Sequence, residues 1–268
     1  MNMTRRDFVG ATLGVAAWQT LASRGQVPAM VGGPTDPTGL TLTSARGTHR
    51  ESMPENIVGG LFHLTKPYAA VNLDQKTSSW TRRMATPLNG QTLGIIGVGE
   101  IGQRVAHIAS AIGMRVIGTK RRPEPVQDVA EIFPGSRTNE VLAQSDFVLL
   151  LLPATPDTEN FIDAERLSHM KPTAYLLNFG RGALIDDAAL IAAVSGKKIA
   201  GAVLDVFRQE PLPKEHPFWT TEGIQVLPHI GGGHPKRDSV VAKLFADNLG
   251  RFLDGKPLLQ EVDRVAGY

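Results

Sequence analysis

No cysteine occurs in the 268 residues, which excludes disulfides and thiolate-bound metals. The absence is compatible with an oxidising compartment and does not require one. Charge of one sign is lacking as well: 28 Lys and Arg oppose 26 Asp and Glu, for a formal net charge of +2. Basic residues are scattered except at Lys120, Arg121 and Arg122, so no groove for nucleic acid is expected. Long apolar runs are missing too. Phe147 to Leu152 ends at Pro153 and falls far short of the roughly 20 residues that span a bilayer, so it reads as a buried strand and no membrane span is expected in the mature protein. What remains is an ordinary globular composition, 42% hydrophobic and 20% charged, long enough for one good core and part of a second.

The first residues are of a different kind. Thr4-Arg5-Arg6-Asp7-Phe8-Val9 precedes a mild Gly/Ala/Leu stretch ending near Leu21 and Ala22, which resembles a twin-arginine export signal. An ordinary amphipathic N-terminal helix is the competing reading. Residues 1–24 are therefore expected to send a folded protein to the periplasm; without export the chain is cytoplasmic. Gly25 to Gly39, rich in Gly and Pro, reads as a linker. Farther on, Ser52-Met-Pro54-Glu55 fits a capping box. Ile57, Val58, Leu61, Phe62 and Leu64 then form an apolar face until Pro67, and a second short segment reaches Trp80.

The run Leu93-Gly-Ile-Ile-Gly97-Val-Gly99-Glu-Ile-Gly102 places a short apolar strand directly before a three-glycine turn. That turn opens a helical pattern carried by Ile101, Val105, Ile108, Ala109 and Ile112 and stopped at Gly113. A dinucleotide-binding chain begins this way. Gly97 makes the tight turn, Gly99 lets backbone approach a pyrophosphate, and Gly102 lets the helix pack on its strand. Gly97, Gly99, Glu100, Ile101 and Gly102 are thus the candidate phosphate contacts, at a helix start with free N–H groups. The competing reading is a structural glycine loop. Met114 to Gly118 reads as the second strand, after which an acid normally meets the adenosine ribose. Here Thr119-Lys120-Arg121-Arg122 follows instead. Lys120, Arg121 and Arg122 could pair with a 2′-phosphate, so NADP is favoured over NAD, against the alternative of a solvated basic loop.

Strands at Asp146 to Leu152, Ala174 to Asn178, Ile199 to Phe207 and Ile224 to Leu227 alternate with helical segments, among them Asp187 to Val194 ending at Gly196. This alternation implies an α/β fold, a doubly wound parallel sheet covered on both faces. A last helix, Lys236 to Leu253, is expected to turn Val240, Val241, Leu244, Phe245, Leu249 and Phe252 toward the core. Just beyond strand ends stand Arg181, Glu210 and His229. Taken singly, each has a bland reading: a surface Arg, a solvated Glu before Pro, a packed His.

These pieces together resemble the D-isomer-specific 2-hydroxyacid dehydrogenase family, the group containing glyoxylate and hydroxypyruvate reductases. The likeness runs from about Ala45 to Val262 through five motifs in family order. Besides the glycine turn they are Leu152-Pro153-Ala-Thr155-Pro156-Asp-Thr158, Asn178-Phe-Gly-Arg181-Gly182, Leu204-Asp205-Val-Phe207 with Glu210-Pro211-Leu212, and His229-Ile-Gly231-Gly232. The resemblance implies that Arg181 binds the substrate carboxylate and carbonyl, that His229 exchanges the hydroxyl proton, and that Glu210 partners the His. It further implies that Asp205 holds the nicotinamide carboxamide and that Pro153 helps wall the adenine pocket. Reduction of a keto acid builds negative charge on the carbonyl oxygen, which asks for a nearby acid and a nearby cation. Glu210 beside the imidazole would stabilise the charged form.

The expected layout is a signal segment (1–24), a linker with a remnant of the substrate domain (25–46), an NAD(P)-binding domain (47–256) whose residues 47–80 form a homodimer arm, and a tail (257–268). Members of the family carry a substrate domain ahead of the nucleotide domain; here only residues 40–46 would stand for it, leaving a cleft with one wall. Two functions are consistent with this: a reductase of small 2-keto acids, and a nucleotide-binding module without turnover, serving as remnant, sensor or scaffold.

Overall fold

A computed structural model describes residues 41–263. The export-signal and linker readings, and the last five residues of the tail, lie outside the described residues. Leu42–Val262 form one compact unit. Its first and last residues are tied together: Thr43 bridges Glu261, and the Val262 N–H donates to the Leu42 carbonyl at 2.9 Å.

The chain enters through helices α1 (Ser52–Thr65) and α2 (Tyr68–Lys76), separated at Pro67. There follow β1 (Thr92–Ile96), α3 (Glu100–Ala111), β2 (Arg115–Lys120), β3 (Glu131–Pro134), α4 (Thr138–Gln144) and β4 (Phe147–Leu150). The second half contains α5 (Ala164–Ser168), β5 (Tyr175–Asn178), α6 (Asp187–Ser195), β6 (Gly201–Leu204), β7 (Ile224–Val226) and α7 (Arg237–Leu253). All seven strands are parallel, in the order β3-β2-β1-β4-β5-β6-β7. The doubly wound sheet expected from the alternation is present. Its order reverses between β1 and β4, where Ile95 lies opposite Leu149, and that gap opens the crevice in which such folds hold ligands.

Successive strand residues serve opposite faces, as a two-residue period requires. Ile95, Leu149 and Leu177 pack with Ile57 and Leu61 of α1 and Val105 and Ala109 of α3. Ile96, Leu150 and Leu176 pack instead with Leu142 of α4 and Leu190 of α6. Both faces being covered, β1 is buried throughout. Among the described residues no helix is long and apolar enough to cross a membrane.

Four local readings change. α1 starts at Ser52 itself, its N-cap Glu51 in helical conformation without a side-chain bond, so the Ser52–Glu55 capping box does not form. The Ser52 hydroxyl donates to the Gly232 carbonyl (3.3 Å) because a tertiary partner reaches it first. β2 runs to Lys120 rather than ending at Gly118, since β3 pairs with it and places Lys120 opposite Pro134. β3 and α4 are too short and weakly patterned to stand out in the sequence. Lastly, the apolar stripe of α7 does not enter the core: Val240 is 41% and Phe245 44% exposed, and only Asn248 is buried. Periodicity reports that a helix has an apolar face; it does not say what covers that face.

Candidate active site

The glycine turn lies at the crevice. Gly97 has φ +98°, open to glycine without strain, and its N–H donates to the Thr119 hydroxyl at 3.2 Å. The Val98 N–H donates to the Thr119 carbonyl (2.9 Å), so β2 holds the turn from the side. A Cβ on Gly102 would come 3.2 Å from the Gly97 carbonyl oxygen and 3.3 Å from Ile95 Cγ2, the close helix–strand approach the motif predicts. A Cβ on Gly99 would meet nothing within 4 Å. No side chain caps α3, and the N–H groups of Glu100, Ile101 and Gly102 have no partner within the helix geometry. A cradle open at Gly99 and lined by uncapped donors fits a dinucleotide pyrophosphate.

Of the basic cluster, Lys120 forms an ion pair with Glu124. Their contact, together with the charge of Arg122, holds the Glu124 carboxyl below the usual range. One cation of the run is thus already paired by a carboxylate four residues beyond the end of β2. Pro153 follows β4, and its carbonyl accepts from the Thr158 hydroxyl (2.7 Å), which also accepts from the Thr155 N–H (2.8 Å). Thr158 closes that loop.

At the other end of the same edge the strands deliver side chains. Buried Asn178, the last residue of β5, donates to the Arg181 carbonyl (2.9 Å) and accepts from the Gly180 N–H (3.1 Å), which folds the turn that presents Arg181. Arg181 is exposed, and its guanidinium donates to the Gly180 carbonyl (2.6 Å). After β6, Asp205 is 1% exposed and takes the N–H groups of Ile230 (2.7 Å) and Gly231 (2.8 Å) on its two oxygens. Burial pushes its carboxyl up; these two bonds and the charge of His229 pull it back. The Glu210 carboxylate accepts from the Phe207 N–H (2.9 Å) through one oxygen and contacts His229 Nδ1 (2.6 Å) through the other. His229 follows β7 in the left-handed region, φ +52°, and is half exposed.

Glu210 and His229 are therefore brought together, with Asp205 anchoring the loop that carries the imidazole. Arg181 shares their sheet edge without bonding to them. Sequence reasoning missed the clamp behind this loop, which comes from the turn before α1 and its first residues. His49 Nδ1 bonds the Gly232 carbonyl (2.7 Å), Asn56 donates to the Gly231 carbonyl (2.9 Å), and His234 Nε2 meets the Thr48 carbonyl (3.2 Å). A Cβ on Gly232 would lie 2.8 Å from the His49 ring. Burial lowers the His49 pKa; the Gly232 bond opposes this, and the charges of Arg237, His234 and His229 add to it. Nothing in the sequence pairs His49 with Gly232, which is 183 residues away.

The fold and the uncapped glycine turn define an NAD-binding domain of Rossmann type. The D-isomer specific 2-hydroxyacid dehydrogenase NAD binding domain matches residues 58–231. The chain belongs to that family, whose members are NAD(P)-dependent dehydrogenases of hydroxy acids and include glyoxylate reductases. A glyoxylate reductase of Thermococcus onnurineus is 41% identical over 170 residues, which are 62% of this chain and 50% of that one. The chain thus spans half the length of that relative. A D-isomer specific 2-hydroxyacid dehydrogenase from Xanthobacter autotrophicus, crystallised with NADPH and MES, superposes with a TM-score of 0.78 at 30% identity, covering 87% of this chain and 96% of that one. An NADPH-dependent glyoxylate/hydroxypyruvate reductase of Sinorhizobium meliloti, crystallised with NADP and sulfate, gives 0.77 at 29% identity, covering 89% and 76%.

Proposed function

We propose that this chain reduces a small 2-keto acid, of the glyoxylate or hydroxypyruvate kind, with NADPH preferred over NADH. One observation carries the reading: a carboxylate that contacts imidazole Nδ1 at 2.6 Å, standing at the carboxyl edge of a dinucleotide-binding sheet. When bound, a reduced nicotinamide supplies a hydride to the keto carbon. The chain's own part is charge and proton management. Glu210 accepts from Nδ1–H, which leaves Nε2–H of the charged ring aimed outward as the proton donor for the developing alkoxide. Proton loss from Nε2 leaves the Nδ1–H tautomer, the form that Glu210 already holds. Arg181 grips the substrate carboxylate once its guanidinium leaves the Gly180 carbonyl, and it stabilises charge on the carbonyl oxygen. Asp205 keeps the His229 loop in place, and through that loop it would help hold the nicotinamide carboxamide. Pro153 would border the adenine, while Gly97, Gly99, Glu100, Ile101 and Gly102 would present backbone to the pyrophosphate. Lys120, Arg121 and Arg122 would hold the 2′-phosphate, in competition with Glu124 for Lys120.

The arm at residues 47–80 is proposed to make a homodimer: Tyr68 (71%), Leu73 (63%) and Trp80 (94%) are exposed apolar groups on or beside α2. A light-scattering mass of one chain would contradict it.

A second reading, a nucleotide-holding module without turnover, is favoured by the half-exposed His229 and the self-bonded Arg181, since water weakens charge interactions at an open site. Incubation with NADPH and glyoxylate decides between the two. Absorbance loss abolished in His229→Ala supports the reductase; tight NADPH binding with no turnover supports the module.

A further inference from the structure

We propose that Arg208 is a positioning residue whose guanidinium pins the turn carrying Glu210 to the turn that follows Arg181, and thereby sets the Glu210–His229 contact. The inference rests on the reading of Arg181, Glu210 and His229 as the reacting set.

The two turns already touch through backbone. A Cβ on Gly182 would fall 2.0 Å from the Phe207 carbonyl carbon and 2.4 Å from the Arg208 nitrogen, so nothing but hydrogen fits between them. Arg208 Nη2 then reaches back across this seam. It donates to the Ile185 carbonyl at 2.6 Å, lies 3.3 Å from the Ala183 carbonyl, and contacts the Asn160 side-chain oxygen. Two carboxylates flank the same guanidinium, Glu159 at 3.5 Å and Asp187 at 3.8 Å. Three segments are joined at one cation: 159–160, 183–187 and the 207–210 turn. Within that last turn the Phe207 N–H is bonded to the Glu210 oxygen that does not face His229. Glu210 is thereby oriented from one side by backbone, and that backbone is held by Arg208.

If Arg208 were only a surface partner of Glu159 and Asp187, its removal would change little, because exposed ion pairs contribute little. Charge-assisted bonds to backbone carbonyls are stronger and directional. A guanidinium offers a planar fork that can serve several acceptors at once, whereas an ammonium on this stem keeps one or two. The substitution to Lys should therefore retain part of the effect and the substitution to Met none.

The test reads the ring directly. Full-length protein labelled with 15N-histidine is examined by long-range 15N–1H correlation at a pH where His229 is neutral, and His229 is assigned among the seven histidines by its loss in His229→Asn. Wild type is expected to show the Nδ1–H tautomer, because Glu210 accepts there. Glu210→Ala should shift the ring toward Nε2–H, Arg208→Met should match Glu210→Ala, and Arg208→Lys should fall between. Arg208→Gln serves as the second variant if Met impairs folding. With NADPH and glyoxylate, Arg208→Met should lose at least about 10-fold in kcat while its NADPH Kd stays within about 2-fold of wild type. An Arg208→Met ring with the wild-type tautomer overturns the proposal, as does a wild type that already shows the Glu210→Ala pattern. If wild type turns nothing over, the reductase reading falls, and the tautomer comparison still decides the role of Arg208.

Discussion

Along one edge of the sheet, the β1–β2 end and the β5–β7 end solve different problems with different materials. The β1–β2 end, the proposed nucleotide site, is built mostly from main chain: a positive-φ Gly97, an open Gly99 and uncapped donors at the start of α3, all within six residues. The β5–β7 end, the proposed reacting site, presents side chains that begin far apart in the chain and are held by others. His229 leans on Glu210, its loop hangs from Asp205, and that loop is gripped from behind by His49, Ser52 and Asn56. A main-chain site tolerates side-chain change wherever a Cβ would meet neither the protein nor the bound ligand. A side-chain site fails when a single prop is removed.

The sharpest break in this comparison is His229→Ala. Turnover of glyoxylate should fall by about 10²–10⁴, the span expected for loss of a general acid, while NADPH affinity is unchanged. Parallel loss of both in fluorescence titrations would mean that the two ends are not separable.

Asp205→Asn should be next. One backbone N–H would face an amide nitrogen, at a cost of about 1–3 kcal/mol in urea unfolding. Its pH signature follows from the raised carboxyl. Between the unfolded value and the raised folded value the native chain holds the proton more tightly, so in the wild type this group's contribution to stability declines as pH rises through that window. The Asn variant should lack that slope, and an unchanged slope would reject the assignment.

Gly99→Ala probes the opposite end. Because its Cβ meets nothing within 4 Å, stability should be preserved while nucleotide affinity drops on the order of 10-fold, about 1.4 kcal/mol. A loss of melting temperature without a loss of affinity would show that the glycine serves packing alone.

Glu124→Gln should have the smallest effect. Freeing Lys120 from an exposed ion pair should tighten NADPH only slightly, because exposed pairs contribute little, and leave NADH alone. Equal shifts for both nucleotides would remove the basis for NADP preference.

How much was legible follows the same division. The glycine turn, the alternation of strands and helices, and the placement of Arg181, Glu210 and His229 after strand ends could all be read from local pattern, whereas Asp205 entered only through the family resemblance. Thr119 and Thr158 were not seen as supports, since a threonine bonding the turn after the neighbouring strand, or closing its own loop, leaves no periodic trace. The basic run after Thr119 was visible, but its pairing with Glu124 depended on the path taken after β2. The stripe on α7 was read correctly as apolar and wrongly as core.

The sequence alone determined the parallel sheet and the three-glycine turn, because hydrophobic period and glycine conformational freedom act over a few neighbouring residues. Only tertiary structure decided that an imidazole at 229 meets a carboxylate at 210 and that residues near 50 brace the loop around it. Those contacts depend on which strands lie side by side, and strand order comes from packing the whole core.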